Sequence, residues 1–97
     1  MKQSECLGVN EQGHLTLGGC DTVELAEQYG TPLYLLDEAG VRAACRSYRE
    51  SIERFYQGRG MVCYASKAFC CKEIYRLMDS EQMGVDVVSE GELYTAL

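Results

Sequence analysis

Apolar and polar positions change rhythm twice along the chain. Between Leu7 and Leu17, apolar residues recur at alternating or near-alternating positions on either side of Asn10-Glu11-Gln12-Gly13, which predicts a hairpin of two short strands. Gly18-Gly19 breaks that pattern. Asp21-Thr22-Val23-Glu24 then has the form of a helix start, with Asp21 capping and Glu24 reaching back, and the short helix stops at Gly30. From Pro32 the texture becomes alternating strand and helix. Leu33 to Leu36 has the length of a buried strand. Asp37 can cap the next helix, in which Val41, Cys45, Tyr48, Ile52 and Phe55 recur at steps of three and four. Gly58-Arg59-Gly60 turns the chain into a second strand, Met61 to Ala65. The following helix carries Ile74, Leu77 and Met78 as its apolar stripe and ends before Gly84. Val85 to Val88 reads as a third strand, and Ser89-Glu90-Gly91-Glu92 opens a last helix with another capping box. Strands alternating with helices, with no hairpin signals between them, predict parallel strands in βα units, an α/β fold.

Composition narrows the picture without specifying it. One proline and no low-complexity run leave no sign of a flexible linker. Arg42, Arg46, Arg49, Glu50, Glu53 and Arg54 cover the polar face of their helix and read as solvated surface rather than a binding patch. With 9 basic against 15 acidic residues the net charge is −6, and no basic run interrupts it. That balance argues against nucleic acid and against an anionic membrane surface as partners. No stretch approaches the roughly 18 apolar residues of a membrane span. Met1-Lys2-Gln3-Ser4-Glu5 leads into no apolar signal core, so a cytoplasmic location is expected.

The chain has six cysteines, Cys6, Cys20, Cys45, Cys63, Cys70 and Cys71, but no Cys-x-x-Cys pair, and His14 is the sole histidine. Those spacings suit neither a disulfide framework nor a zinc site, and no metal is expected. Cys45 and Cys63 are expected as small core residues and the others as reduced thiols.

The candidate chemistry centres on Lys67, within Tyr64-Ala65-Ser66-Lys67-Ala68-Phe69. Side chains at the carboxyl ends of strands in α/β folds face the crevice where ligands bind. A partly desolvated lysine there can lose its proton and attack a carbonyl to form a Schiff base. Taken by itself, a strand-end lysine is more often simply solvated. Asp86 is the second candidate, because it interrupts the apolar context of Val85, Val87 and Val88, and a buried carboxylate needs a partner. Lys67, on the adjacent strand, could be that partner; a bond to nearby backbone is the alternative. Tyr64 and Ala65 read as pocket lining, with Tyr64 equally suited to the core. Ser89 and Glu92 are explained as capping residues.

Four blocks in order carry a resemblance over most of the chain. They are Gly18-Gly19-Cys20-Asp21, Tyr29-Gly30-Thr31-Pro32-Leu33-Tyr34, Val62-Cys63-Tyr64-Ala65-Ser66-Lys67-Ala68-Phe69 and Val85-Asp86-Val87-Val88-Ser89-Glu90-Gly91-Glu92-Leu93. From Leu15 to Leu97 the chain resembles the start of the diaminopimelate decarboxylases, pyridoxal-phosphate enzymes of the alanine-racemase-like barrel class. The resemblance implies the start of a pyridoxal-phosphate-binding (β/α)8 barrel. Residues 1–30 would belong to a β-rich second domain, and residues 31–97 to the first βα units of a barrel left incomplete. A complete barrel takes about 250 residues. Met1 reads as a true start, whereas Leu97 falls inside a helix. The expectation is therefore the amino-terminal fragment of a longer enzyme, inactive alone.

The resemblance also implies decarboxylation of meso-2,6-diaminopimelate to L-lysine and CO2, with pyridoxal 5'-phosphate held on Lys67 and Asp86 close to it. An amino-acid substrate and a homodimeric full-length enzyme go with that reading. Barrel decarboxylases acting on arginine, ornithine or carboxynorspermidine remain alternatives, although they usually surround the lysine differently. A racemase fits less well, since Lys-Ala-Asn-Ala-Tyr-Gly does not follow from Lys67. A non-catalytic pyridoxal-phosphate protein would share the lysine strand but lacks the β-rich leader.

Overall fold

The hairpin between Leu7 and Leu17 forms as expected. β1 (Leu7–Val9) runs antiparallel to β2 (Leu15–Leu17), with Leu7 opposite Leu17, Gly8 opposite Thr16 and Val9 opposite Leu15. The computed structural model describes residues 6–97, so the polar leader 1–5 lies outside the described residues. Asn10 closes the turn, its Oδ1 accepting from the amides of Gln12 at 3.1 Å and His14 at 2.9 Å. Gly13 takes φ 77°, a left-handed position where a Cβ would be strained. A third, two-residue strand that the sequence pattern did not suggest, β3 (Cys20–Asp21), pairs with the other side of β2.

Asp21 joins this sheet to α1 (Thr22–Tyr29). Its Oδ1 caps the helix by accepting from the amides of Val23 at 2.8 Å and Glu24 at 3.3 Å. Its Oδ2 accepts from Asn10 Nδ2 at 2.8 Å and lies 2.8 Å from His14 Nδ1. The hydrogen bond from His14 is the largest influence on this carboxyl, and with those from Asn10, Glu24 and Val23 it lowers the pKa to about 2 against the opposing effect of burial. α1 ends at Gly30, where φ is 82°.

The described chain divides into two compact units that meet between Val41 and Arg42, inside α2 (Glu38–Tyr56). Leu33 to Leu36 corrects the expectation of a buried strand. It follows a cis Thr31–Pro32 peptide as irregular chain, and Tyr34 is 91 % exposed. An apolar run supplies side chains for a buried strand, but only a ladder partner makes one.

In the second unit β4 (Cys63–Ala65) runs parallel to β5 (Gly84–Asp86), with Cys63 opposite Gly84, Tyr64 opposite Val85 and Ala65 opposite Asp86. The connection passes through a single 3-10 turn, Ser66–Ala68, and α3 (Lys72–Ser80), giving one βα-type crossover. α4 (Glu90–Ala96) follows β5. Cys45, Ile74, Tyr75 and Met78 are buried, and the Cys45 thiol reaches Met78 Sδ at 3.7 Å. Burying an aliphatic or methionine side chain of this kind contributes about 1.5–3 kcal/mol. Cys63 departs from the expected core role and is exposed. Its sulfur lies over Gly84, where a Cβ would come within 2.7 Å of it, so the close approach of the two strands needs glycine at that point.

The arginine-rich face of α2 also departs from expectation. It is not merely solvated. Arg42, Arg46 and Arg49, spaced one and two turns apart, converge on Glu81, which is 3 % exposed at the end of α3. Glu81 Oε1 accepts from Arg42 at 2.9 Å and Arg46 at 3.2 Å, and Arg46 Nε reaches Oε2 at 3.3 Å. Arg49 donates to the Glu81 backbone carbonyl at 2.8 Å. The hydrogen bonds from Arg42 and then Arg46 hold the Glu81 carboxyl below its ordinary pKa. α3 stops through a left-handed Gln82 at φ 60°, with the Met83 amide donating to the Met78 carbonyl at 2.9 Å.

Candidate active site

The site residues follow from where β4 and β5 end. In a parallel pair the carboxyl ends point the same way, so the segments that leave them share one edge of the sheet. Ala65 is opposite Asp86, and Lys67 follows Ala65 by two residues in the 3-10 turn. Lys67 is exposed, as is Asp86. Ser66, between Ala65 and Lys67 in the chain, is the reverse, only 1 % exposed. The turn therefore buries Ser66 and presents the lysine outward.

The segment after the lysine is tied down by side chains. Tyr64, at the middle of β4, donates its hydroxyl to the Phe69 carbonyl at 2.8 Å, spanning the turn that carries Lys67. Burial pushes the Tyr64 pKa up, which keeps this group a protonated donor. One residue further on, the Cys70 sulfur and the Tyr75 hydroxyl of α3 lie 3.3 Å apart. On the β5 side, Ser89 Oγ accepts from the Glu92 amide at 3.1 Å, and Glu92 Oε2 accepts from the Val88 amide at 2.6 Å. The capping box expected at Ser89 is thus present, with the return bond made to Val88 rather than to the cap residue itself.

Asp86 corrects one expectation. It is neither buried nor ion-paired with Lys67. The end of a short strand does not cover a side chain on its free face, so the carboxylate needs no buried partner. Tyr64 is half-buried and hydrogen-bonded to the loop. A cavity of about 900 Å³ lies elsewhere. Lys72, Tyr75, Asp79, Gly84, Val85 and Tyr94 are among its lining residues, and neither Lys67 nor Asp86 reaches it. The edge that carries Lys67 and Asp86 and that cavity are separate features.

Sequence reasoning did not single out Glu81 or the Tyr64 hydroxyl bond. The first has a faint signal, three arginines at one-turn spacing, but nothing local identifies the acid 32 to 39 residues away. The second has none beyond an aromatic five residues from Phe69.

Comparison with known proteins gives this arrangement its relatives. The family described as pyridoxal-dependent decarboxylase, pyridoxal binding domain, matches residues 38–97. The chain is 45 % identical over 89 residues to a diaminopimelate decarboxylase of Synechocystis, covering 92 % of this chain and 19 % of that protein. It is 48 % identical over 89 residues to one of Bacillus methanolicus, covering 92 % and 20 %. A crystal structure of diaminopimelate decarboxylase from M. jannaschii, in co-complex with L-lysine, superposes with a TM-score of 0.83 at 37 % identity, over 95 % of this chain and 22 % of that one. The chain spans about a fifth of the length of these relatives. With the family match covering well over half of its residues, the chain belongs to the pyridoxal-dependent decarboxylases, in the region of their pyridoxal-binding domain.

Proposed function

We propose that these residues form part of an enzyme that decarboxylates meso-2,6-diaminopimelate to L-lysine and CO2, using pyridoxal 5'-phosphate held by Lys67. One observation carries the reading: an exposed lysine in a braced turn at the carboxyl end of β4, within a chain 45–48 % identical to diaminopimelate decarboxylases. The local chemistry fits an aldehyde-bearing cofactor. A primary amine stands clear at the strand end, where its nitrogen can bond to a carbonyl carbon.

When bound, the cofactor supplies an electron sink for the pair left behind as the carboxylate departs. This chain's residues do the rest of what the site requires here. Lys67 would hold the cofactor through its amine, and the same nitrogen could carry a proton. Asp86, level with Ala65 on the neighbouring strand, places a carboxylate at the same edge of the sheet. Residues 31–97 are the first βα units of a (β/α)8 barrel in this reading, and residues 1–30 belong to a β-rich second domain. The parallel β4–β5 pair with its helical crossover supports the first of these assignments and the antiparallel β1–β2–β3 sheet the second. The full-length enzyme works as a cytoplasmic homodimer in this reading. A chain that spans a fifth of its relatives lacks most of their residues, and alone it does not turn over substrate.

Borohydride reduction of the full-length enzyme followed by peptide mapping tests the reading. The reduced cofactor is expected on Lys67, and Lys67→Arg should abolish turnover while leaving the fold intact, since arginine keeps the charge but does not form the bond. Cofactor found on Lys72, or on no lysine, sinks the assignment.

A further inference from the structure

We infer that Tyr64 is a positioning residue for Lys67, acting through the hydrogen bond from its hydroxyl to the Phe69 carbonyl. The inference rests on the proposed role of Lys67 and deepens it.

A lysine side chain has four rotatable bonds, so the backbone beneath it limits where its amine can go. Here that backbone is one 3-10 turn, Ser66–Ala68, and 3-10 hydrogen bonding is weaker than that of an α-helix. Something else must hold the turn. On its near side Ser66 is buried, which anchors the chain just before Lys67. Its N-cap residue, Ala65, makes no side-chain cap, and on its far side Phe69 is extended, at φ −165° and ψ 126°. The Tyr64 hydroxyl supplies the missing restraint, reaching 2.8 Å to the Phe69 carbonyl. Tyr64 itself is fixed by the β4–β5 ladder opposite Val85. The turn is thus clasped between a strand residue and its own far end, with Lys67 in the middle. Because burial raises the Tyr64 pKa, the donor stays protonated across the neutral range.

The test compares wild type with Tyr64→Phe in the full-length enzyme. Phenylalanine keeps the ring and removes the donor. Three quantities are read: the Kd of the apoenzyme for pyridoxal 5'-phosphate, kcat and KM for the substrate, and the melting temperature of the apoenzyme. Loss of one net hydrogen bond on the cofactor-bound geometry should raise Kd and lower kcat by about fivefold each. KM and the apoenzyme melting temperature should remain close to wild type. A merely structural bond would lower the melting temperature and leave Kd and kcat alone, and that outcome overturns the inference. So does an unchanged Kd together with an unchanged kcat. Peptide mapping after borohydride treatment separates the two hypotheses. Cofactor on Lys67 in both proteins with equal Kd and kcat rejects only the role of Tyr64, whereas cofactor on another lysine rejects the function proposed for Lys67.

Discussion

Asp86 stands opposite Ala65 in the parallel ladder of β4 and β5, so the two strands end level and Lys67 lies two residues beyond one of those ends. The pairing is through backbone, and the Asp86 side chain is exposed without an ion pair to the lysine. Any influence of Asp86 on chemistry therefore acts across the strand ends once substrate and cofactor are present.

Asp86→Asn separates that influence from packing, since the amide keeps the shape and removes the charge. In the full-length enzyme, turnover should fall by more than about tenfold, equivalent to roughly 1.4 kcal/mol of transition-state stabilisation. The melting temperature should barely move, because an exposed strand-end carboxylate carries little of the fold. Steady-state kinetics and a thermal melt on the same preparation decide it; unchanged turnover returns Asp86 to a surface role.

Glu81→Gln should destabilise the full-length enzyme without touching the chemistry. The acid is the shared acceptor for Arg42, Arg46 and Arg49, and a neutral amide removes the charge on which the three guanidinium groups converge. A fall in melting temperature on the order of 5 °C is expected. Arg46→Gln should cost less, since that side chain is 56 % exposed and its charge is screened by solvent. Equal melting temperatures for Glu81→Gln and wild type would show that the cluster is decorative.

Acid stability should carry the signature of Asp21. Its folded pKa, about 2, lies below its ordinary 3.8. The folded state thus binds fewer protons, and the stabilisation is present in full above pH 3.8 and lost as pH falls toward 2. Urea titrations at pH 5, 4, 3 and 2 should show a steeper loss for wild type than for Asp21→Asn, which has no proton to take up. Parallel slopes for the two proteins would contradict the link between Asp21 and its His14 and Asn10 partners.

Local chemistry was legible in the residues alone. Asp21 and Ser89 were recognisable as caps because a capping side chain reaches amides only two or three positions ahead. The hairpin around Asn10 and the strand before Lys67 were likewise readable from alternation and turn residues. The register of β4 against β5 was not, and neither was the gathering of three arginines on Glu81, because those partners are more than twenty residues apart. Leu33 to Leu36 shows the limit most clearly, since apolar sequence expresses a preference for burial but a strand exists only when another strand takes up its amides and carbonyls. Residue order by itself determined the caps, the turns and the lysine at a strand end. Tertiary structure alone decided which side chains meet across the fold, because such contacts depend on the packing of distant elements and not on any local spacing.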